Sequence, residues 1–275
     1  MRHSCSPQMH NAAFAELGLD FIYVPFEVPP EQLGAAVAAV RALGMPGVNV
    51  TIPHKGGVAQ LVDELDESAA VLEAVNTICA CGGKLIGYNT DAEGFARSLA
   101  EAGETFEAAD VAIIGGGGGA RAVAWAAATR NARSIVVVGR TLPKAEAVAE
   151  LVNRAAGRQT ATAVPLATHA EESIRGSDIV IDTTSVGMHP HADVAPVIDP
   201  TWISSHQLVV DIVYNPADTV LLKAARERGA RTVSGLGMLV HQGAIAFEMW
   251  TGQAAPVATM RQALVDALAA ATEAG

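Results

Sequence analysis

Short runs of consecutive apolar residues alternate along the chain with longer stretches in which alanine, leucine and charged residues recur at helical spacing. The second half shows this rhythm best. Strand character begins at Val111, Ser134, Ala161, Asp178 and Leu208, in runs that are β-branched and short, and helical stretches separate them. That order predicts the βαβ connections of a parallel sheet. In the first half the pattern predicts a helix over residues 8–17, a strand over 20–28, an Ala/Val helix ending at Gly44, and a strand from Gly47 that breaks at Pro53. Two further strands, 75–81 and 84–88, are joined by Gly82-Gly83, a hairpin turn, and a helix follows over 92–102. Helical stretches at 239–250 and 258–271 close the chain; because the five-strand unit is complete before them, they are expected to return to the first domain. The fold class expected is α/β in two domains, residues 1–101 plus 239–275 forming one and 102–238 the other.

Five consecutive glycines change the picture from fold to chemistry. Val111-Ala-Ile-Ile114 runs directly into Gly115, Gly116, Gly117, Gly118 and Gly119, and an alanine-rich helix follows. Read as G-x-G-x-x-A, Gly115 allows the sharp turn, Gly117 lets backbone approach a pyrophosphate, and Ala120 lets helix pack close on strand. The helix N-terminus then offers unpaired N–H groups to phosphate oxygens. A flexible linker would not sit between an apolar strand and a helix. At the end of the second strand, where a carboxylate would meet a free ribose hydroxyl, the chain has Arg140 and Thr141, with Lys144 one turn on. Two cations and no carboxylate favour a 2′-phosphate, so NADP is expected rather than NAD; the plain alternative is that Arg140 is a solvated surface residue.

With 275 residues, half of them apolar, the chain can bury the cores of two ordinary domains. A formal charge of −11 excludes the basic footprint that non-specific nucleic-acid binding needs, and says little about small anions, since a local pocket can oppose the global sign. No apolar run approaches the length of a membrane span, and the first residues lack the apolar core of a secretory signal, so a cytoplasmic location is expected. Cys5, Cys79 and Cys81 are too few for a disulfide framework, and Cys79-Ala-Cys81 has no second ligand pair at metal-site spacing, so no metal is expected. His189-Pro-His191 reads as a surface loop.

Other polar positions have competing explanations. Ser6 can serve as the N-cap of the first helix with Pro7 as its first residue, whereas Ser4 has no such structural duty; two hydroxyls this close on a turn can also both donate to a carboxylate. His54 and Lys55 stand at the carboxyl end of a strand, where α/β proteins place their chemistry. Asp91 opens a helix, which its charge alone would favour.

Together these segments resemble shikimate dehydrogenases. The resemblance rests on His3-Ser-Cys-Ser-Pro7, Asn49-Val-Thr-Ile-Pro-His-Lys55, Ala74-Val-Asn-Thr77, Asn89-Thr-Asp91, the glycine loop, Arg140-Thr141 and Gly235-Leu-Gly-Met-Leu-Val-His-Gln242, in that order over nearly the whole chain. It implies a Rossmann-like NADP domain, and NADP-dependent interconversion of shikimate and 3-dehydroshikimate on the way to chorismate and the aromatic amino acids. By motif match, Lys55 and Asp91 are the catalytic pair. Ser4 and Ser6 hold the substrate carboxylate, Thr51, Asn76 and Gln242 join the pair around the ring hydroxyls, and Tyr214 lies on the substrate side. Glu67, Ile212 and Gly235 match positions near the cofactor, and a homodimer is common in the family. The family also has a strand and a Gly-x-Pro-Val turn before the His-Ser-x-Ser-Pro motif; Met1 stands inside that turn, and the expectation is a GTG start codon with the first strand encoded upstream. Alternatives are an NAD-dependent quinate/shikimate dehydrogenase, a non-catalytic NADP- or shikimate-binding regulator, and a generic Rossmann reductase.

Overall fold

The computed structural model describes the backbone of residues 4–273 and side chains as far as residue 270. The chain divides into two compact units, one comprising residues up to Gly94 together with those from Val240, the other Phe95–Leu239.

The first unit begins with α1 (Ser6–Glu16) and α2 (Leu33–Ala42), then β1 (Gly47–Asn49), α3 (Lys55–Val58), β2 (Glu64–Leu65), α4 (Glu67–Leu72), β3 (Thr77–Cys81), β4 (Lys84–Tyr88) and the start of α5 (Asp91–Glu101). Its four strands lie in the order β1-β3-β4-β2; the β3–β4 pair is an antiparallel hairpin and β2 joins parallel to β4. Gly82 and Gly83 both have positive φ, which a two-residue hairpin turn requires and which other residues adopt only with strain. The core gathers Val37, Val40, Val58, Val75, Ile78 and Leu85.

Two expectations are corrected here. Residues 20–28 form no strand: the backbone of Tyr23 is held instead by the side-chain amide of Asn11, which accepts from Tyr23 N at 2.7 Å and donates to Tyr23 O at 3.0 Å. Phe21, Ile22, Val24 and Phe26 are exposed, and with residues 47–54 this segment lines an apolar cavity of about 420 Å³. The first helix starts two residues early, at Ser6, with Cys5 in the N-cap place. Ser4 Oγ, rather than Ser6, does the local capping, accepting from Ser6 N at 3.3 Å.

The second unit holds β5 (Asp110–Ile114), α6 (Gly118–Thr129), β6 (Ser134–Gly139), α7 (Leu142–Ala156), β7 (Ala161–Pro165), α8 (Leu166–Arg175), β8 (Ile179–Asp182), β9 (Leu208–Asp211), α9 (Val220–Glu227) and β10 (Arg231–Ser234). These strands make one parallel sheet in the order β10-β9-β8-β5-β6-β7, a Rossmann-like arrangement. The interior strands β8 and β9 are buried along their whole length, which explains why they read as unbroken apolar runs. The sixth strand, β10, was not expected: Arg-Thr-Val-Ser is too polar to stand out, and it pairs as an edge. Strand order reverses between β5 and β8, so the glycine run at the end of β5 occupies the switch point where α/β sheets bind ligands. Two helices, α10 (Leu236–Thr251) and α11 (Val257–Glu273), end the chain, and α11 packs on α1 within the first unit.

Candidate active site

In the first unit, three short connections converge. The chain leaves β1 through a turn closed by His54 N donating to Thr51 O at 2.9 Å and enters α3 at Lys55. The Lys55 carbonyl accepts from Val75 N at 2.8 Å, tying that single helical turn to the residue before Asn76. Asp91 opens α5, its own N–H bonded to Asn89 Oδ1 at 3.1 Å. Lys55 Nζ thereby reaches Asp91 Oδ2 at 2.6 Å, while Asn76 Nδ2 donates to the other carboxylate oxygen, Oδ1, at 2.8 Å. The Asn76 amide cannot be turned around. Its oxygen accepts from Thr90 N at 2.8 Å and Thr77 Oγ1 at 3.0 Å, so its nitrogen must face Asp91. With the Lys55 and Asp91 side chains only 25 % and 13 % exposed, the ion pair is poorly screened but still accessible.

Around this pair the structure brings some of the expected residues. Gln242 lies on α10 directly against α5: a methyl group at Gly94 would fall 2.8 Å from Gln242 Cβ, so only glycine lets the two helices meet there, one turn beyond Asp91. Ser4 and Thr51 both line the apolar cavity. Sequence reasoning missed Tyr23, Asn49, Thr77 and Thr90. Tyr23 OH donates to Asn49 Oδ1 at 3.0 Å, Asn49 Nδ2 donates to Thr77 Oγ1 at 3.1 Å, and Thr77 and Thr90 both donate to the Asn76 oxygen. Burial pushes the Tyr23 phenol up to about 12, against a smaller opposing pull from the Ser6 side chain beside it. The signal was an asparagine inside the apolar run Gly47-Val-Asn-Val50, where a half-buried amide needs partners.

The second unit carries the remaining groups. Gly115 sits at φ 123°, and a side chain there would strike Thr183 Oγ1, which itself donates to Ile114 O at 2.6 Å. Gly116 faces the stem of Lys144, and Gly119 faces Ile212, whose carbonyl in turn abuts Gly235. A methyl at Gly117 or Gly118 would meet nothing within 4 Å, so the backbone at the start of α6 is open to a ligand. Arg140 is exposed just past β6, and Thr141 takes the N-cap place of α7. These residues fit a dinucleotide phosphate chain with an extra phosphate: open glycine backbone, a helix N-terminus and two cations on one βαβ unit.

Tyr214 follows β9 in this unit and is half-buried, whereas Glu67 is an exposed first residue of α4 in the other unit, so neither joins its expected companions within one unit. Met1 and His3 lie outside the described residues. Cys79 is buried with its Sγ on Met249 O at 3.6 Å, while Cys81 is exposed.

Residues 1–78 match the family model described as shikimate dehydrogenase substrate binding domain, residues 97–218 the model shikimate/quinate 5-dehydrogenase, and residues 235–265 the shikimate 5′-dehydrogenase C-terminal domain. The chain belongs to the shikimate dehydrogenase family. Within that family it is 47 % identical over 272 residues to a shikimate dehydrogenase (NADP(+)) of Methanopyrus kandleri, covering 98 % of this chain and 93 % of that one. A family member solved in complex with NADP+ superposes with a TM-score of 0.91 at 41 % identity, over 97 % of this chain and 92 % of its own. The Thermus thermophilus member, solved in complex with NADP(H) and shikimate, gives 0.86 at 33 % identity over 97 % and 95 %.

Proposed function

We propose that this protein is an NADP-dependent shikimate dehydrogenase that reversibly reduces 3-dehydroshikimate to shikimate, a step toward chorismate and the aromatic amino acids. The observation that carries this reading is the Lys55–Asp91 pair, clamped by an Asn76 amide of fixed orientation in a chain whose family relatives are NADP-dependent shikimate dehydrogenases. When bound, the nicotinamide supplies or accepts the hydride. Lys55 moves the accompanying proton: as an ammonium it donates to the oxygen that becomes the alcohol, and in the reverse direction as an amine it receives that proton. The cation also stabilises negative charge building on the oxygen during reduction. Asp91 holds the Nζ atom in place and balances its charge, and Asn76 holds Asp91.

Ser4 and Ser6 grip the substrate carboxylate, and Thr51, Asn76, Tyr214 and Gln242 take the ring hydroxyls. Gly115, Gly116, Gly117, Gly118 and Gly119 cradle the pyrophosphate, while Arg140, Thr141 and Lys144 take the adenosine 2′-phosphate. Ile212 and Gly235 line the same cofactor site, as does Glu67 by motif match alone. Of the described helices none is long and apolar enough to cross a membrane; we place the enzyme in the cytoplasm, as a homodimer, with no nucleic-acid partner. The deciding assay follows NADPH formation from shikimate and NADP. Turnover with NADP and shikimate well above that with NAD or quinate is the expected result; turnover confined to NAD and quinate would select the quinate/shikimate alternative, and ligand binding without turnover the regulator.

A further inference from the structure

We propose that Tyr23 and Thr77 are positioning residues in one continuous line of side-chain hydrogen bonds that runs from the Tyr23 phenol, beside Ser6, to the Lys55–Asp91 pair. The inference rests on the function proposed above, since it concerns how one end of that site is coupled to the other.

The line is traced atom by atom. Tyr23 OH, with the Ser6 side chain beside it, donates to Asn49 Oδ1, Asn49 Nδ2 donates to Thr77 Oγ1, Thr77 Oγ1 donates to Asn76 Oδ1, and Asn76 Nδ2 donates to Asp91 Oδ1. From Tyr23 onward every donor points the same way, toward the one full negative charge in the line. Bonds in such a series polarise one another and strengthen together in a low-dielectric interior. Thr77 is fully buried and Asn76 nearly so. Strand register explains the meeting of the two central groups: Asn49 and Thr77 are direct partners across β1 and β3, so the amide and hydroxyl share a face. At the other end the Tyr23 ring is stacked 4.5 Å from His10, with 5° between the planes, which fixes where its hydroxyl points.

The two residues act on different ends. Thr77 determines how firmly Asn76 holds Asp91, and through it Lys55, so its hydroxyl bears on the chemical step. The Tyr23 phenol stands beside Ser6, so its hydroxyl bears on the grip on the substrate carboxylate. Replacing each hydroxyl at nearly constant shape separates them. Thr77→Val should lower kcat roughly tenfold with the KM values for shikimate and NADP little changed, as expected for a small displacement of catalytic groups. Thr77→Ser, which restores the hydroxyl without the methyl, should return kcat to within about twofold of wild type. Tyr23→Phe keeps the stack on His10 and should raise the shikimate KM about fivefold with kcat retained.

The test is steady-state kinetics of the three variants beside wild type, with side-chain amide NMR of Asn76 in each. The Asn76 Nδ2 proton resonances should move in Thr77→Val and stay in Thr77→Ser. If Thr77→Ser is as impaired as Thr77→Val, packing of the methyl and not the hydroxyl is responsible and the proposal fails; it fails equally if both hydroxyl deletions leave kcat and KM unchanged, or if each changes both parameters alike. Wild type that does not oxidise shikimate at all refutes the proposed function instead, and the Asn76 resonances then judge the line by themselves: unmoved in Thr77→Val, they rule it out.

Discussion

Replacing Lys55 by methionine removes the ammonium and keeps most of the stem, and two separate magnitudes follow from the geometry. At 2.6 Å from Asp91 Oδ2, the gross Coulomb attraction is about 6 kcal/mol for an effective dielectric near 20. Most of that is offset by the cost of bringing two charges out of water. After the substitution Asp91 keeps Asn76 Nδ2 on its other oxygen, so what is lost is one charge-assisted hydrogen bond, about 1.5–3 kcal/mol of folding stability. The reaction loses its proton donor, a fall in kcat of about 10²–10⁴, equivalent to about 3–5.5 kcal/mol in the barrier. NADP affinity should hold, because the glycine loop, Arg140 and Lys144 belong to the other unit. The decisive comparison adds Lys55→Met with Asp91→Asn: removing the orphaned charge should recover most of the urea stability and none of the turnover. Turnover by Lys55→Met within tenfold of wild type, or recovery of turnover along with stability in the double variant, would refute the assigned roles.

Three further outcomes follow from the same structure. Asp182 is paired in register with Asp211 on buried strands, and burial first, with Asp211 adding to it, raises its carboxyl from 3.8 to about 6; the folded state therefore holds this proton more tightly than the unfolded one, and stability present below about pH 4 is lost as pH rises through 6. Asp182→Asn, which still accepts from Thr184 N, should remove that slope and gain about 3 kcal/mol at about pH 8 in urea titrations, and an unchanged slope would count against it. His10 is fully buried with neither ring nitrogen hydrogen-bonded, and desolvation lowers it from 6.5 to about 3, so stability declines as pH falls below 6.5 because only the unfolded chain takes the proton. His10→Phe should be more stable than wild type by about 2 kcal/mol at about pH 5, read as a shift in the urea midpoint; equal acid sensitivity of both proteins would contradict the assignment. Arg140→Ala should raise the KM for NADP about tenfold and leave that for NAD unchanged, whereas equal losses with both cofactors would mean that Arg140 does not read the 2′-phosphate.

The sheet of the second unit was legible because β8 and β9 are buried throughout and so leave unbroken apolar runs, and the glycine loop because it falls between an apolar strand and a helix; the steric demand read at Gly115 is there, while those at Gly116 and Gly119 depend on Lys144 and Ile212, which spacing alone does not bring near. Lys55 and Asp91 could be named from their places at element ends and from family motifs. What the sequence concealed is partnership. Residues 20–28 have strand composition, but alternation of side chains does not say whether a backbone finds a ladder, and here the Asn11 amide takes the Tyr23 groups instead. Nor does composition distinguish a threonine that fills space from one, like Thr77, whose hydroxyl is both donor and acceptor between two asparagines.

The helix that begins at Lys55 is one turn long, and the lysine carbonyl is fastened to Val75 N, the residue just before Asn76. That turn has little cohesion of its own, so the β3–β4 hairpin acts as its chassis. The Lys55 amine and the Asn76 amide that holds Asp91 travel together, and protection of the Val75 amide against hydrogen exchange becomes a direct gauge of how well the geometry of the ion pair is kept.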